Sequence, residues 1–269
     1  MKRIALFRYH NQANICINRI ELFKHYNPYT PVYGLFGGPE ENFDTYQRLL
    51  DTYLKGNYCL KEKPDEWKWK NGDLAIRKWY MDYGKDLDFD MLHILEWDLL
   101  MFESLDELYA HIPQNSLGVS GLTRLNKISN KWFWTRDPHQ KSEWETLHQQ
   151  VQQKYGPIKN LYASVAPGLC MPKSFLEQYA QAKVPELSHD ELRITLFAQA
   201  MGFKLYDTRF FKRWFSKKEW KYFNCNNFNI TWSTISHELS KKKGRRVFHP
   251  HRELVPLANL QTWYQPEYL

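Results

Sequence analysis

Short apolar runs, closed by polar residues or glycines, alternate along this chain with longer stretches whose apolar residues recur at helical spacing. Residues 4–7 (Ile4, Ala5, Leu6, Phe7) form such a run, cut off by Arg8, Tyr9, His10 and Asn11, and predict a buried strand. Asn14 is placed to cap a helix that carries Ile15, Ile17, Ile20, Leu22 and Phe23 and ends near Asn27 and Pro28. Residues 31–36, with Val32, Tyr33, Leu35 and Phe36, predict a second strand stopped by Gly37, Gly38 and Pro39. An apolar strand, a helix and another apolar strand make a βαβ unit with parallel strands. Ligands of parallel sheets bind beyond the carboxyl ends of the strands, here residues 8–11 and 37–40.

The alternation continues through the middle. Residues 73–83 predict a helix with an imperfect stripe of Leu74, Ile76, Trp79 and Tyr80. Residues 89–95 are an apolar run, broken by Asp90 and His93, that ends in Glu96, Trp97 and Asp98. A helix over 105–111, a strand over 117–120, a helix over 142–155, a strand–turn–helix over 161–182 and a loop and helix over 185–203 follow. There is no internal repeat. From Lys204 onward the chain is basic, aromatic and irregular and is expected to wrap the domain. The prediction is one α/β domain over residues 1–210 with a mostly parallel central sheet flanked by helices. A C-terminal extension over residues 211–269 packs on the same domain.

Composition narrows the class. With 43% apolar residues over 269 positions the chain can fill a core, which excludes a disordered or collagen-like protein. No stretch approaches the roughly 18–20 consecutive apolar residues of a membrane span. The first residues offer no small-residue cleavage site after their apolar run, so no signal peptide is expected. Cys16, Cys59, Cys170 and Cys225 lie far apart without a C-x-x-C pair, which excludes a zinc ribbon or a disulfide scaffold. A soluble, reduced, cytoplasmic protein is the expectation. The net charge of +7 argues for an anionic partner, and 16 Phe, 11 Trp and 17 Tyr suit clefts that stack flat rings as well as a well-filled core.

The candidate chemistry gathers at three places. Glu96 and Asp98, two residues apart just past a buried strand, project to one side and leave room for a hard divalent cation whose remaining ligands come from a diphosphate. Such a pair also ends strands and caps helices with no ion present. Upstream, Gly72 and Asp73 open a helix in which Arg77, one turn on, can reach a phosphate or a base edge. Downstream, Asp190 and Glu191 open an apolar helix, where acids also serve as caps and complement the helix dipole. Near the C-terminus, His249 and His251 face the same way if their segment is extended, within a run containing Arg245, Arg246 and Arg252. Phe210, Phe211, Lys212, Arg213, Trp214, Phe215, Lys217, Lys218, Trp220, Lys221 and Tyr222 interleave cations with rings, a pattern compatible with single-stranded nucleic acid, an anionic membrane or a flap.

An N-terminal βαβ, a Gly-x-x-x-x-Arg helix start (Gly72 to Arg77), a strand ending in acid-x-acid (Glu96 to Asp98) and a later acidic helix start resemble the GT-A type of inverting glycosyltransferase, similar to family-2-like enzymes. The resemblance spans roughly residues 2–210 by order of elements. It implies a GT-A-like fold and transfer of a sugar from a nucleotide-sugar to a hydroxyl. A divalent metal, Mn2+ or Mg2+, would be held by Asp98 assisted by Glu96, with His249 or His251 as a further ligand. The family has Asp at the first acidic position, so Glu96 departs from it and Asp98 is the principal ligand. Arg8, Tyr9, His10, Asn11, Gly37, Gly38, Asp73, Arg77 and Trp97 would surround the donor nucleotide. Asp190 or Glu191, with Asp190 favoured, would take the acceptor proton. Ala166, Pro167, Gly168, Leu169, Cys170, Met171 and Pro172 resemble the turn lining the acceptor site, although Pro and Gly serve equally in plain turns, and Cys170 reads as a small buried residue. The implied partners are a nucleotide-sugar donor and a glycan, lipid-linked or small-molecule acceptor, with the basic-aromatic tail a candidate for peripheral contact at the inner membrane face. No nucleic acid is expected. A sugar nucleotidyltransferase on a similar sheet is the rival enzyme, although residues 8–11 lack its Gly-rich loop; a nucleic-acid-binding protein built on the tail is the non-enzymatic rival.

Overall fold

The apolar runs become the middle of a seven-stranded sheet in the computed structural model, which describes residues 1–61 and 63–259. In chain order the strands are β1 (Arg3–Tyr9), β2 (Val32–Phe36), β3 (Asn57–Cys59), β4 (Met91–Glu96), β5 (Leu100–Met101), β6 (Ser116–Arg124), β7 (Tyr162–Pro172), β8 (Lys204–Asp207) and β9 (Val247–Phe248). Their order across the main sheet is β3-β2-β1-β4-β7-β6-β8, and β5 pairs separately with β9. The pairs β1–β2, β2–β3, β1–β4 and β6–β8 are parallel, while β7 runs antiparallel to both β4 and β6. The fold class is therefore the expected mixed α/β with a mostly parallel central sheet between helices. Ile4, Leu6, Leu92 and Ile94 pack on one face with the helix Gly72–Asp82, and Ala5, Phe7, Met91 and Leu95 on the other with the helix Ala13–Tyr26. This two-sided burial is why these strands read as unbroken apolar runs.

Two strands of the main sheet were not legible in the sequence. Asn57, Tyr58 and Cys59 (β3) and Lys204 to Asp207 (β8) are short strands at the two sheet edges, each with only two residues packed on the core. The turn expected over 166–172 is instead part of the continuous strand β7, with a bulge between Val165 and Cys170. Gly118 faces Cys170 and Ser120 faces Val165, so a two-residue step on β6 opposes a five-residue step on β7. Pro167 has no N–H to give to the ladder, and Gly168, at φ +83, takes the left-handed conformation that the excursion needs. The helix expected from residue 142 starts earlier, at Pro138, because Asp137 caps the N–H groups of His139 and Gln140. The helix expected over 105–111 stops at Leu108.

The C-terminal segment is less irregular than its sequence suggests. β9 pairs with β5, and the helix Trp232–Leu239 joins Leu22, Leu100, Phe102 and Phe248 in a third apolar cluster. Asn18 clamps Val255 from both sides, donating to its carbonyl at 2.9 Å and accepting its N–H at 2.9 Å. Residues 260–269 of the predicted extension lie outside the described residues.

Candidate active site

β1 and β4 run side by side, so their carboxyl ends bring Arg8 beside Glu96 in register. Arg8 Nη1 donates to Glu96 Oε1 at 3.3 Å. Past β4 the chain turns back within two residues, which leaves Asp98 buried beside the incoming C-terminal segment. That segment places His249 over the acids: its Nε2 is 3.4 Å from Asp98 Oδ1 and 3.7 Å from Glu96 Oε2. One ligand atom from each of Glu96, Asp98 and His249 falls within 4.8 Å of the others.

The tautomer of His249 suits this arrangement. Its Nδ1 lies 2.7 Å from the carbonyl oxygen of Asn224, an atom that can only accept, so Nδ1 carries hydrogen and Nε2 is the nitrogen that faces the carboxylates, where on losing its proton it would give a lone pair to a cation. Two carboxylates and an imidazole form a competent set for manganese or magnesium. The charges respond to one another. Burial pushes the Glu96 carboxyl up, with Arg8 and His249 opposing. Burial would also raise Asp98, but His249 and Arg252 outweigh it and hold that carboxyl below its ordinary range. The same acids raise His249 against its own burial.

The second acidic group approaches from the helix Asp190–Ala200. Ser188, at φ +64, turns the chain sharply into this helix, and the turn is fixed from two directions. Glu143 accepts the Ser188 N–H at 3.0 Å, and buried Arg193 donates to the carbonyls of Leu187 and Ser188. A non-glycine residue in this region is held only where its surroundings over-determine it. His189 Nδ1 lies 2.9 Å from Asp190 Oδ1 and 3.7 Å from Glu191 Oε2, and the indole of Trp134 lies flat on the imidazole at 3.9 Å and 16°. Glu191 Oε1 accepts the N–H of Ala166, in the β7 bulge, at 3.1 Å. Arg8, Ser164, Ala166, Asp190 and Glu191 line one narrow pocket.

These two neighbouring carboxyls are driven apart. Burial would raise Asp190, but His189, Arg8 and Arg193 outweigh it and keep the carboxyl below its ordinary range. Burial lifts Glu191 to about 7, reinforced by Asp190 and Glu96 and only partly opposed by His189. Burial would lower His189, yet Asp190 and Glu191 raise it.

The structure brings together Glu96, Asp98 and His249, and sets Arg8 between them and the pair Asp190 and Glu191. At the same sheet end, the His10 ring meets Trp97 edge-on at 5.2 Å, and Gly37 donates its N–H to the Tyr9 carbonyl at 2.8 Å, with Lys68 in ordinary contact beside its Cα. Gly38 is packed so closely that a Cβ would come within 2.4 Å of the His10 carbonyl. The Asn11 Oδ1 is buried without a hydrogen-bond partner.

Four expected site residues have other roles. Tyr9 points into the core and its hydroxyl accepts from Asn57 at 2.6 Å, because β1 alternates and residue 9 falls on the buried face. Asp73 is taken up by an ion pair with Arg193, at 2.5 and 2.8 Å, and by the Tyr179 hydroxyl at 2.5 Å. Arg77 points away from the sheet end and donates to the carbonyls of Tyr179, Ala180 and Ala182, closing the C-terminus of the helix Lys173–Gln181. His251 does not share a face with His249. β9 ends at Phe248, and the His251 Nδ1 turns to the Ile230 carbonyl at 2.6 Å.

The sequence left unassigned His189, with its Trp134 stack, and the space kept by Gly72. The available signal for His189 was a histidine immediately before two acids. A Cβ at residue 72 would lie 2.6 Å from both the Arg8 guanidinium and an Asp190 oxygen. Gly72→Ala is expected to keep a melting temperature near wild type, because the atoms displaced are tips of side chains. It is expected to weaken nucleoside diphosphate binding by about tenfold, the scale of one displaced charged hydrogen bond. Calorimetry that returns the wild-type affinity would remove Arg8 from the donor site.

Comparison with known proteins finds chains of similar layout among solved structures. No protein-family model matches it, and neither does any curated protein. Among solved structures it is similar to the galactosyltransferase LgtC in complex with donor and acceptor sugar analogues, at 15% identity and a TM-score of 0.44, covering 77% of this chain and 74% of that one. It is also similar to a 4-diphosphocytidyl-2C-methyl-D-erythritol synthase, at 11% identity and TM-score 0.42, over 77% of this chain and 89% of that one. A third is the mannosyltransferase PcManGT from Pyrobaculum calidifontis in complex with GDP-Man and Mn2+, at 10% identity and TM-score 0.42, over 77% of this chain and 54% of that one. The case for a particular chemistry rests on the side chains.

Proposed function

We infer that this protein is a metal-assisted glycosyltransferase that moves a sugar from a nucleotide-sugar to a hydroxyl acceptor with inversion. The observation that carries this reading is the meeting of Glu96, Asp98 and His249 at one sheet end, with Arg8 joining them to a second buried acidic pair. Glu96, Asp98 and the Nε2 of His249 would hold the divalent ion. Bound there, such an ion neutralises the charge that develops on a departing diphosphate. Arg8, His10, Asn11, Gly37, Gly38 and Trp97 would hold the donor.

Within the second pair the proposal assigns the base to Glu191 rather than to Asp190. Burial lifts the Glu191 carboxyl to about 7, where a base both exists ionised and takes a proton readily, whereas Asp190 is held ionised and charge-paired by His189 and Arg8 and takes a proton less readily. The acceptor O–H passes its proton to the Glu191 carboxylate as the oxygen bonds to the anomeric carbon. The bond from that carbon to the diphosphate oxygen breaks on the opposite face, and its electron pair leaves with the diphosphate. Asp190 and His189 would hold Glu191 in place.

Among the described residues, no helix is long and apolar enough to cross a membrane. Lys212, Arg213, Lys217, Lys218 and Lys221 are exposed around Phe215, and peripheral contact with an anionic membrane through this face belongs to the proposal. A thermal-shift panel of nucleoside diphosphates with and without manganese tests the reading. At a hundredfold excess over Kd, manganese together with the matching nucleotide is expected to raise the melting temperature by about 5 °C. A panel with no response to any pair would remove the donor site.

A further inference from the structure

Large aromatic rings are ordinarily covered, and most of those in this chain are. Two beside the acidic pair are not: Trp69 is 66% exposed and Phe133 50%. They flank Trp134, which is 9% exposed. The ring of Trp69 lies 5.6 Å from that of Trp134 and 5.4 Å from that of His189, and Phe133 lies 5.0 Å from Trp134. Since His189 Nδ1 is 2.9 Å from Asp190 and 3.7 Å from Glu191, one imidazole separates this open aromatic surface from the carboxylates assigned to catalysis.

The rim decides what would sit there. Lys70 Nζ meets Glu143 at 2.6 Å, Lys63 Nζ meets Glu186 at 3.2 Å, and the Trp67 indole N–H donates to Glu186 at 2.6 Å. Flat rings are thus bordered by charged hydrogen-bonding groups. An alkyl chain gains nothing from such a border, because burying charges against hydrocarbon is unfavourable. A sugar ring presents both an apolar C–H face, which packs on an indole, and an edge of hydroxyls, which Lys70 and Glu143 can bond.

We propose that Trp69, Trp134 and Phe133 form the acceptor platform and that the acceptor is a carbohydrate, stacked on Trp69 with its attacking hydroxyl directed toward Glu191. This rests on the glycosyl-transfer reading above and narrows its acceptor to a glycan. Stacking fixes the plane of the sugar, and the charged rim fixes its rotation in that plane.

The test uses the full chain with manganese and the nucleoside diphosphate that gives the largest thermal shift. Labelled protein is applied to an immobilised glycan array carrying terminal hexoses and N-acetylhexosamines, with alkyl-coated spots as the comparison. The strongest glycan is then titrated in solution by calorimetry. Wild type is expected to bind a restricted set of glycans and to ignore the alkyl spots. Trp69→Ala is expected to raise the glycan Kd about tenfold, and Trp69→Phe to restore part of the loss. Trp69 is exposed, so its replacement leaves the core intact, and manganese-dependent nucleotide binding by both variants reports a folded donor site. Equal glycan affinity in wild type and Trp69→Ala overturns the platform. Nucleotide binding with no glycan bound, or with the alkyl spots preferred, overturns the carbohydrate assignment. Absence of nucleotide binding in wild type overturns the underlying transferase reading instead.

Discussion

Glu191→Gln is expected to lower turnover by about 10² to 10⁴, the range lost with a general base, while donor affinity stays near wild type. The substitution keeps the shape and still accepts the N–H of Ala166, so it removes the proton acceptor without opening a hole. Asp190→Asn, by contrast, breaks the contact with His189 and disturbs Arg8, and is expected to affect donor binding as well as turnover. The pH profile separates the two. With the Glu191 carboxyl at about 7, wild-type turnover should fall as pH drops below that value, and Glu191→Gln should lose this acid limb along with its rate. Stability carries the same signature in the opposite direction. A carboxyl raised above its ordinary 4.5 binds a proton more tightly in the folded chain, so its contribution is full below about 4.5 and is lost as pH rises through about 7. Glu191→Gln should flatten that decline. A variant with wild-type turnover and an unchanged acid limb would show that Glu191 is not the base.

What could be read in the sequence depended on how local the deciding contacts are. β1, β2 and β4 are covered on both faces, so burial alone writes them as apolar runs, and the acids that follow β4 stand out against that run. β3 and β8 are edge strands of three and four residues, too short to leave such a run. At the site, the acidic residues were visible because each sits at an element's end. Their partners were visible only in part, because the fold brings several of them from far away. Arg77 had the right spacing for a phosphate, but the carbonyls that take it lie more than a hundred residues on, at Tyr179, Ala180 and Ala182. Asp73 was claimed in the same way by Arg193. The choice between His249 and His251 turned on where β9 ends and on which carbonyl each ring meets, Asn224 or Ile230. A two-residue spacing could not distinguish them.

Asp98→Asn is expected to abolish manganese-dependent binding of the nucleoside diphosphate while preserving the fold. Asp98 is buried, and its charge is balanced by His249 Nε2 at 3.4 Å and Arg252 Nε at 3.2 Å. An amide fills the same volume but offers a neutral oxygen, so the site loses one of the two negative charges that attract a divalent ion. Glu96 does not compensate, because burial raises its carboxyl and Arg8 already occupies one of its oxygens. His249→Gln should give a smaller loss, since it leaves both carboxylates in place. The His251 imidazole donates elsewhere, so His251→Gln is a control for the segment rather than for the site. Calorimetry with manganese and without it reads all three, and the difference between the two titrations isolates the ion's share. If Asp98→Asn binds nucleotide as wild type does, with the same response to manganese, the cluster of Glu96, Asp98 and His249 is a charge-balanced structural element and not a metal centre.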